Sequence, residues 1–85
     1  MVYVLLGTGF EEMEALAPVD LLRRAGIDVL TVGVTGKTVY GGHNIGVEAD
    51  ILLEEMDLTQ LDMIVSPAVW AVSPLQEPAR VRWMR

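Results

Sequence analysis

Three carboxylates crowd one short stretch of this chain: Glu11, Glu12 and Glu14, in Gly7-Thr8-Gly9-Phe10-Glu11-Glu12-Met13-Glu14. Acids placed together can exchange protons, hydrogen-bond a thiol or hydroxyl, or hold a partner's cation. They also repel phosphate. Most loops of this kind favour anions, because a helix N-terminus offers free N–H groups and the positive end of a dipole. Gly7 and Gly9 suggest a dinucleotide fingerprint, but Glu12 stands where the third glycine belongs. The stretch therefore argues against nucleotide binding and for a carboxylate set deliberately at the edge of a sheet.

The elements around it explain how such a group would be positioned. Val2–Leu6 is short, apolar and β-branched or aromatic, which predicts a buried strand ending at Gly7. Glu11 to about Ala25 predicts a helix capped by Thr8 or the glycines and ended by Gly26. Its acidic first turn suits the dipole, and Asp20 and Arg24 form an i,i+4 pair. Pro18 has no N–H for the carbonyl of Glu14, so the helix is expected to kink there or to begin only near Ala17. Ile27–Val34 predicts a second buried strand, parallel to the first through a right-handed crossover. Thr35-Gly36-Lys37 reads as a turn. Thr38–Tyr40 and Ile45–Glu48 read as a hairpin around Gly41-Gly42-His43-Asn44. Leu52–Met56 reads as a helical turn that Leu58 to Leu61 extends, and Asp62–Val65 as a third parallel strand. Open α/β sheets bind ligands at the carboxyl ends of their strands, where the Glu11–Glu14 stretch falls. His43, alone at a glycine-rich tip, reads as a solvated turn residue without companion metal ligands.

Composition sets the limits. The chain has 85 residues, enough for one small domain that buries roughly 60–65% of its unfolded surface. An apolar fraction of 52% excludes simple disorder. No run of about 18 apolar residues is present to cross a membrane, and no secretory signal is visible, so a cytoplasmic setting is expected. The absence of cysteine removes disulfides, thiolate metal sites and a cysteine nucleophile from this chain. A net charge of −6 disfavours nucleic acid and anionic membranes as partners. That charge is uneven: residues 1–65 hold eleven acidic and three basic side chains, residues 66–85 one acidic and three basic. The last twenty residues also hold Pro67, Pro74, Pro78, Trp70 and Trp83 and show no period of 2 or 3.6. The division expected is 1–65 as a domain part and 66–85 as a divergent tail.

Three further stretches extend the pattern at fixed spacing: Pro18-Val19-Asp20-Leu21-Leu22-Arg23-Arg24-Ala25-Gly26-Ile27, Asp50-Ile51-Leu52-Leu53-Glu54-Glu55 and Leu61-Asp62-Met63-Ile64-Val65. Over residues 1–65 the chain resembles the N-terminal part of the ThiJ/PfpI superfamily, closest to its parkinsonism-associated protein deglycase branch. The resemblance implies an α/β, flavodoxin-like parallel-sheet sandwich (the class I glutamine amidotransferase-like fold), here its N-terminal half, and a homodimer. It implies no cofactor. It also implies a cysteine on a strand-to-helix elbow beyond residue 85, tuned by a first-loop glutamate that maps to Glu14, and often assisted by a histidine further along. The function implied is glyoxalase- or deglycase-type chemistry on small reactive carbonyls or their adducts. The alternatives are a non-enzymatic dimerising, chaperone-like or stress-response module, or a thiamine-pathway or peptidase-type relative.

The pattern breaks after Val65. A Leu-Pro-Gly-Gly segment, whose N–H groups help bind the substrate oxygen in the family, is replaced by Ser66-Pro67-Ala68-Val69. With suitable codons, CTC CCC GGC GGT CTG GGC GGT GTC encodes Leu-Pro-Gly-Gly-Leu-Gly-Gly-Val. Read one base later it encodes Ser-Pro-Ala-Val-Trp-Ala-Val-Ser, which is Ser66 to Ser73 letter for letter. The expectation is a single-base shift at or just before Ser66, a tail unselected for this fold, and a chain without the parent's activity.

Overall fold

The computed structural model describes residues 1–67. Strand β1 (Val2–Leu6) leads into helix α1 (Glu12–Arg24), then β2 (Val29–Gly33), the hairpin β3 (Thr38–Tyr40) and β4 (Gly46–Glu48), β5 (Ile51–Leu52), and β6 (Met63–Val65). Two single 3₁₀ turns, Leu53–Glu55 and Leu58–Gln60, lie between β5 and β6. The main sheet is parallel, with strand order β5-β2-β1-β6. The hairpin forms a separate antiparallel pair.

Register explains the layers. Val2, Val4 and Leu6 alternate with Tyr3 and Leu5, and Val2 stands beside both Val29 and Met63. The first set joins Phe10, Ala15, Val19, Val29, Val39, Ala49 and Val65 in one apolar core beneath α1. On the other face the Tyr3 hydroxyl donates to the Asp57 carbonyl at 3.2 Å and accepts from the Asp57 N–H at 2.9 Å. That exchange ties the centre of β1 to the second 3₁₀ turn.

Several expectations need correction. Helix α1 starts at Glu12 and runs through Pro18 instead of beginning near Ala17. Its N-cap is Glu11, not Thr8 or a glycine; the Glu11 carboxylate accepts from the Met13 N–H at 3.4 Å. The helical turn expected over Leu52–Met56 is present as the 3₁₀ turn Leu53–Glu55, but Leu52 belongs with Ile51 to a strand paired with Val32–Gly33, and Leu58–Gln60 is a separate turn, not an extension. A two-residue strand carries no readable period, so composition favoured the helix. The Asp20–Arg24 pair forms at 3.0 Å, and Gly26 ends the helix at φ 79°, a left-handed geometry suited to glycine. The proposed tail lies outside the described residues, apart from Ser66 and Pro67.

Asp50 locks β5 in place. One of its carboxylate oxygens accepts from the Thr31 N–H at 2.9 Å, the Thr31 hydroxyl at 3.0 Å and Arg23 Nη2 at 2.7 Å. Its own N–H donates back to the Thr31 hydroxyl at 2.9 Å. Arg23 also reaches the Val29 carbonyl, at 2.9 Å, so the end of α1 is fastened to β2 and β5 together. Burial pushes the Asp50 carboxyl up, but the Thr31 and Arg23 hydrogen bonds outweigh it and leave it below its ordinary value.

Candidate active site

The loop after β1 is stitched to its neighbours at the carboxyl ends of the strands. The Val34 N–H donates to the Leu6 carbonyl at 2.9 Å, and the Thr8 and Thr35 hydroxyls share a hydrogen bond of 3.0 Å. Gly9 takes φ 87°, which a side chain would strain, and its N–H donates to the Tyr40 carbonyl at 2.9 Å. The Gly42 N–H donates to the Phe10 carbonyl at 2.8 Å. The hairpin tip therefore rests on the turn that opens α1.

Glu14 lies on that first helical turn and is half-buried. Its Oε2 is shut off from solvent and has no hydrogen-bond partner among the described residues. Burial, and then the charge of Glu11, raise its carboxyl above the ordinary range. A carboxyl in that setting keeps its proton to a higher pH than a solvated one, and when protonated it can donate a hydrogen bond to a thiolate, alkoxide or carbonyl oxygen. The structure thus places Glu14 on the first turn of α1, beside the carboxyl end of β1.

Glu12 is more deeply engaged, at 3% exposure. Its Oε1 lies 2.8 Å from His43 Nδ1, and its Oε2 accepts from the His43 N–H at 2.8 Å and the Ile45 N–H at 3.4 Å. Burial alone would raise the carboxyl. The hydrogen bonds from the His43 ring, its own backbone N–H and the N–H groups of His43 and Ile45 more than reverse this and lower it to about 2. His43 is raised in turn, chiefly by its bond to Glu12, against the opposing effect of desolvation and with help from the charges of Glu12 and Glu11.

His43 is the exposed turn residue expected, but its ring also bonds Glu12 of α1. Its ring is 57% exposed, yet one face of it is held by α1. Nor is it without companions, since donor atoms of Glu11, Glu12 and His43 lie within 4.8 Å of one another, two of them taken up by the Glu12–His43 hydrogen bond. The signal in the sequence that could have found this contact is the pair Gly41-Gly42 before His43, which lets backbone approach a side chain closely.

Beside this cluster, Met13, Leu16, Ala17 and Asp20 share one face of α1 and, with Glu12 and Ile45, line an open apolar groove of about 360 Å³. Among the described residues no helix is long and apolar enough to cross a membrane.

A parallel sheet of order β5-β2-β1-β6 packed against α1 is part of a flavodoxin-like α/β fold. The sequence profile of the DJ-1/PfpI family matches residues 1–68. The chain belongs to the DJ-1/PfpI family. It is similar to protein dj-1beta of Drosophila melanogaster, 35% identical over 65 residues, covering 75% of this chain and 35% of that protein. It is also similar to protein DJ-1 homolog B of Arabidopsis thaliana, 34% identical over 67 residues, covering 78% of this chain and 15% of that one. Among solved structures, a cysteine-to-alanine mutant of a DJ-1 superfamily protein from Salmonella typhimurium superimposes with a TM-score of 0.75 at 40% identity, over 80% of this chain and 37% of its own. The chain thus spans little more than a third of that protein's length, and of the curated relatives 35% or less.

Proposed function

We propose that Glu14 is the acid of a first-loop site that, in the whole protein of this family, stands beside a cysteine nucleophile. The activity of that whole protein would be glyoxalase or deglycase chemistry on small reactive carbonyls or their adducts, carried out by a cytoplasmic homodimer without a cofactor. The observation that carries this reading is the buried, unpartnered Oε2 of Glu14 at the carboxyl edge of a parallel sheet. A neutral carboxyl there suits donation to a sulfur and stabilises its thiolate. The 85-residue chain contains no cysteine and so lacks the nucleophile. Purified, it should consume methylglyoxal no faster than a protein-free blank. Turnover above the blank by this chain would overturn the reading.

The divergence after Val65 fits a shifted reading frame, with residues 66–85 out of register with the rest. Sequencing the underlying DNA tests this: a second frame resuming Leu-Pro-Gly-Gly, and later a cysteine, is expected. A second reading, a non-enzymatic dimerising module, draws on the apolar groove along Met13, Leu16, Ala17 and Ile45. Sedimentation of the chain and of Met13→Glu tests it: assembly through this groove would be lost on that change, and unchanged assembly would overturn it.

A further inference from the structure

The 41–45 hairpin tip is built around a side chain that does not belong to it. A Cβ on Gly41 would stand 2.3–2.4 Å from the Cγ, Cδ and Oε2 atoms of Glu12, so the backbone passes where only glycine fits. Asn44 takes φ 60° and turns the chain back, with its N–H on the Gly41 carbonyl at 3.0 Å and the Gly41 N–H on the Ile45 carbonyl at 3.0 Å. The result aims the N–H groups of His43 and Ile45 at one carboxylate oxygen, while the His43 ring meets the other. Successive amides arranged in this way form an anion-binding nest, here filled by Glu12 from the neighbouring helix.

We propose that Glu12 and His43 form a proton-sensitive latch that holds the hairpin tip on the first turn of α1 and thereby positions Glu14. Glu12 is a positioning residue: it touches no reacting atom and acts through the turn it pins. Among the described residues, the charged groups facing the His43 ring include two from that turn, Glu12 at 2.8 Å and Glu11 at 3.9 Å. Both favour the imidazolium, which gives the ring a charge-assisted hydrogen bond in place of a neutral one. His43 is raised above its ordinary 6.5, so its contribution to docking is complete below 6.5 and is lost as pH rises through its folded-state value. Glu12 is lowered from 4.5 to about 2, so its contribution is present above 4.5 and is lost as pH falls toward 2. The latch is tightest between those two ordinary values. When it loosens, the Glu11–Glu14 turn loses its cover and Glu14 becomes more hydrated.

The consequence for Glu14 as a catalytic acid rests on the reading above, whereas the latch itself does not. The test uses the intact 85-residue chain and its Glu12→Gln and His43→Gln variants, followed by NMR. In the wild type, His43 should titrate above 6.5, and the protection of its amide against hydrogen exchange should fall about tenfold or more as pH passes that midpoint. In Glu12→Gln the His43 midpoint should return to the ordinary range and the Glu14 carboxyl midpoint should drop. His43→Gln keeps a donor at the same place without a titrating group, so its hairpin amides should stay protected with no step in pH. The proposal fails if His43 titrates alike in wild type and Glu12→Gln, if the step persists in His43→Gln, if Glu14 ignores the Glu12 change, or if the wild type shows no protected amide at His43 at any pH. Loss of Glu14's catalytic role, by contrast, would leave every His43 observation intact.

Discussion

The Glu14 carboxyl is held where its charged form is disfavoured, and this has a stability consequence. Its folded-state value lies above the unfolded 4.5, so the folded chain binds the extra proton between the two, and stability falls as pH rises through that interval. Glu14→Gln removes the titration and keeps the shape. The variant should melt higher than the wild type at pH 7 and at nearly the same temperature at pH 4. Equal melting temperatures at both pH values would show that Glu14 is solvated when folded. The place of the Glu11–Glu14 stretch was legible in the sequence because it follows a strand and opens a helix, whereas the choice of Glu14 within it came from the family resemblance alone. The Glu12–His43 contact was not, because it joins residues 31 apart and depends on the path of a tip that only φ values describe. A helix-terminal acid and a solvated histidine account for the same letters equally well until the hairpin is folded back.

At the scale of elements, α1 contains its own defect. Pro18 sits in the helix interior and deprives the Glu14 carbonyl of its helical donor. Interior proline costs about 3 kcal/mol relative to alanine, against roughly 0.4–1 kcal/mol gained by restricting the unfolded chain. Pro18→Ala should therefore stabilise the protein by about 1–2 kcal/mol in denaturant titrations, after some loss of packing from this half-buried ring. A destabilised variant would mean that the proline's fixed φ, not its missing N–H, governs the first half of α1. The opposite end of the helix depends on Asp50. Asp50→Ala strands the N–H of Thr31, itself buried, and frees Arg23, for an expected cost of about 1–3 kcal/mol. The exposed part of that network, the Arg23 pair, adds little of this, so Arg23→Ala should cost clearly less than Asp50→Ala in the same titrations. The strands β1, β2 and β6 were legible from apolar runs bounded by glycine and polar turns. β5 was not, because its place is fixed by Asp50 reaching Thr31 across 19 residues and not by any pattern of its own.

For the whole molecule, the question is what covers its apolar surface. One helix packs on one face of the main sheet, and on the other the described segments that follow β5 are single 3₁₀ turns. Val29 and Val32 are nevertheless buried, so β2 does not expose the continuous apolar strip that one helix would suggest. The exposed apolar groups lie elsewhere: Met13 at 78% and Leu21 at 65% on α1, Leu58 at 67% in the second 3₁₀ turn, and Ile45 and Met63 at the hairpin tip and the β6 edge. Met13 and Ile45 flank one groove, and β6 leaves an edge of three residues open to pairing among the described strands. Side chains of this kind, spread over several faces, favour association with other chains, and a domain of this size has little stability to spare. The isolated 85-residue chain is expected to hold its fold through self-association, with a transition that shifts with protein concentration. Calorimetry over a tenfold concentration range, with sedimentation at each end, checks this. A sharp two-state transition of a monomer, independent of concentration, would show that the described half of the sheet closes its own core.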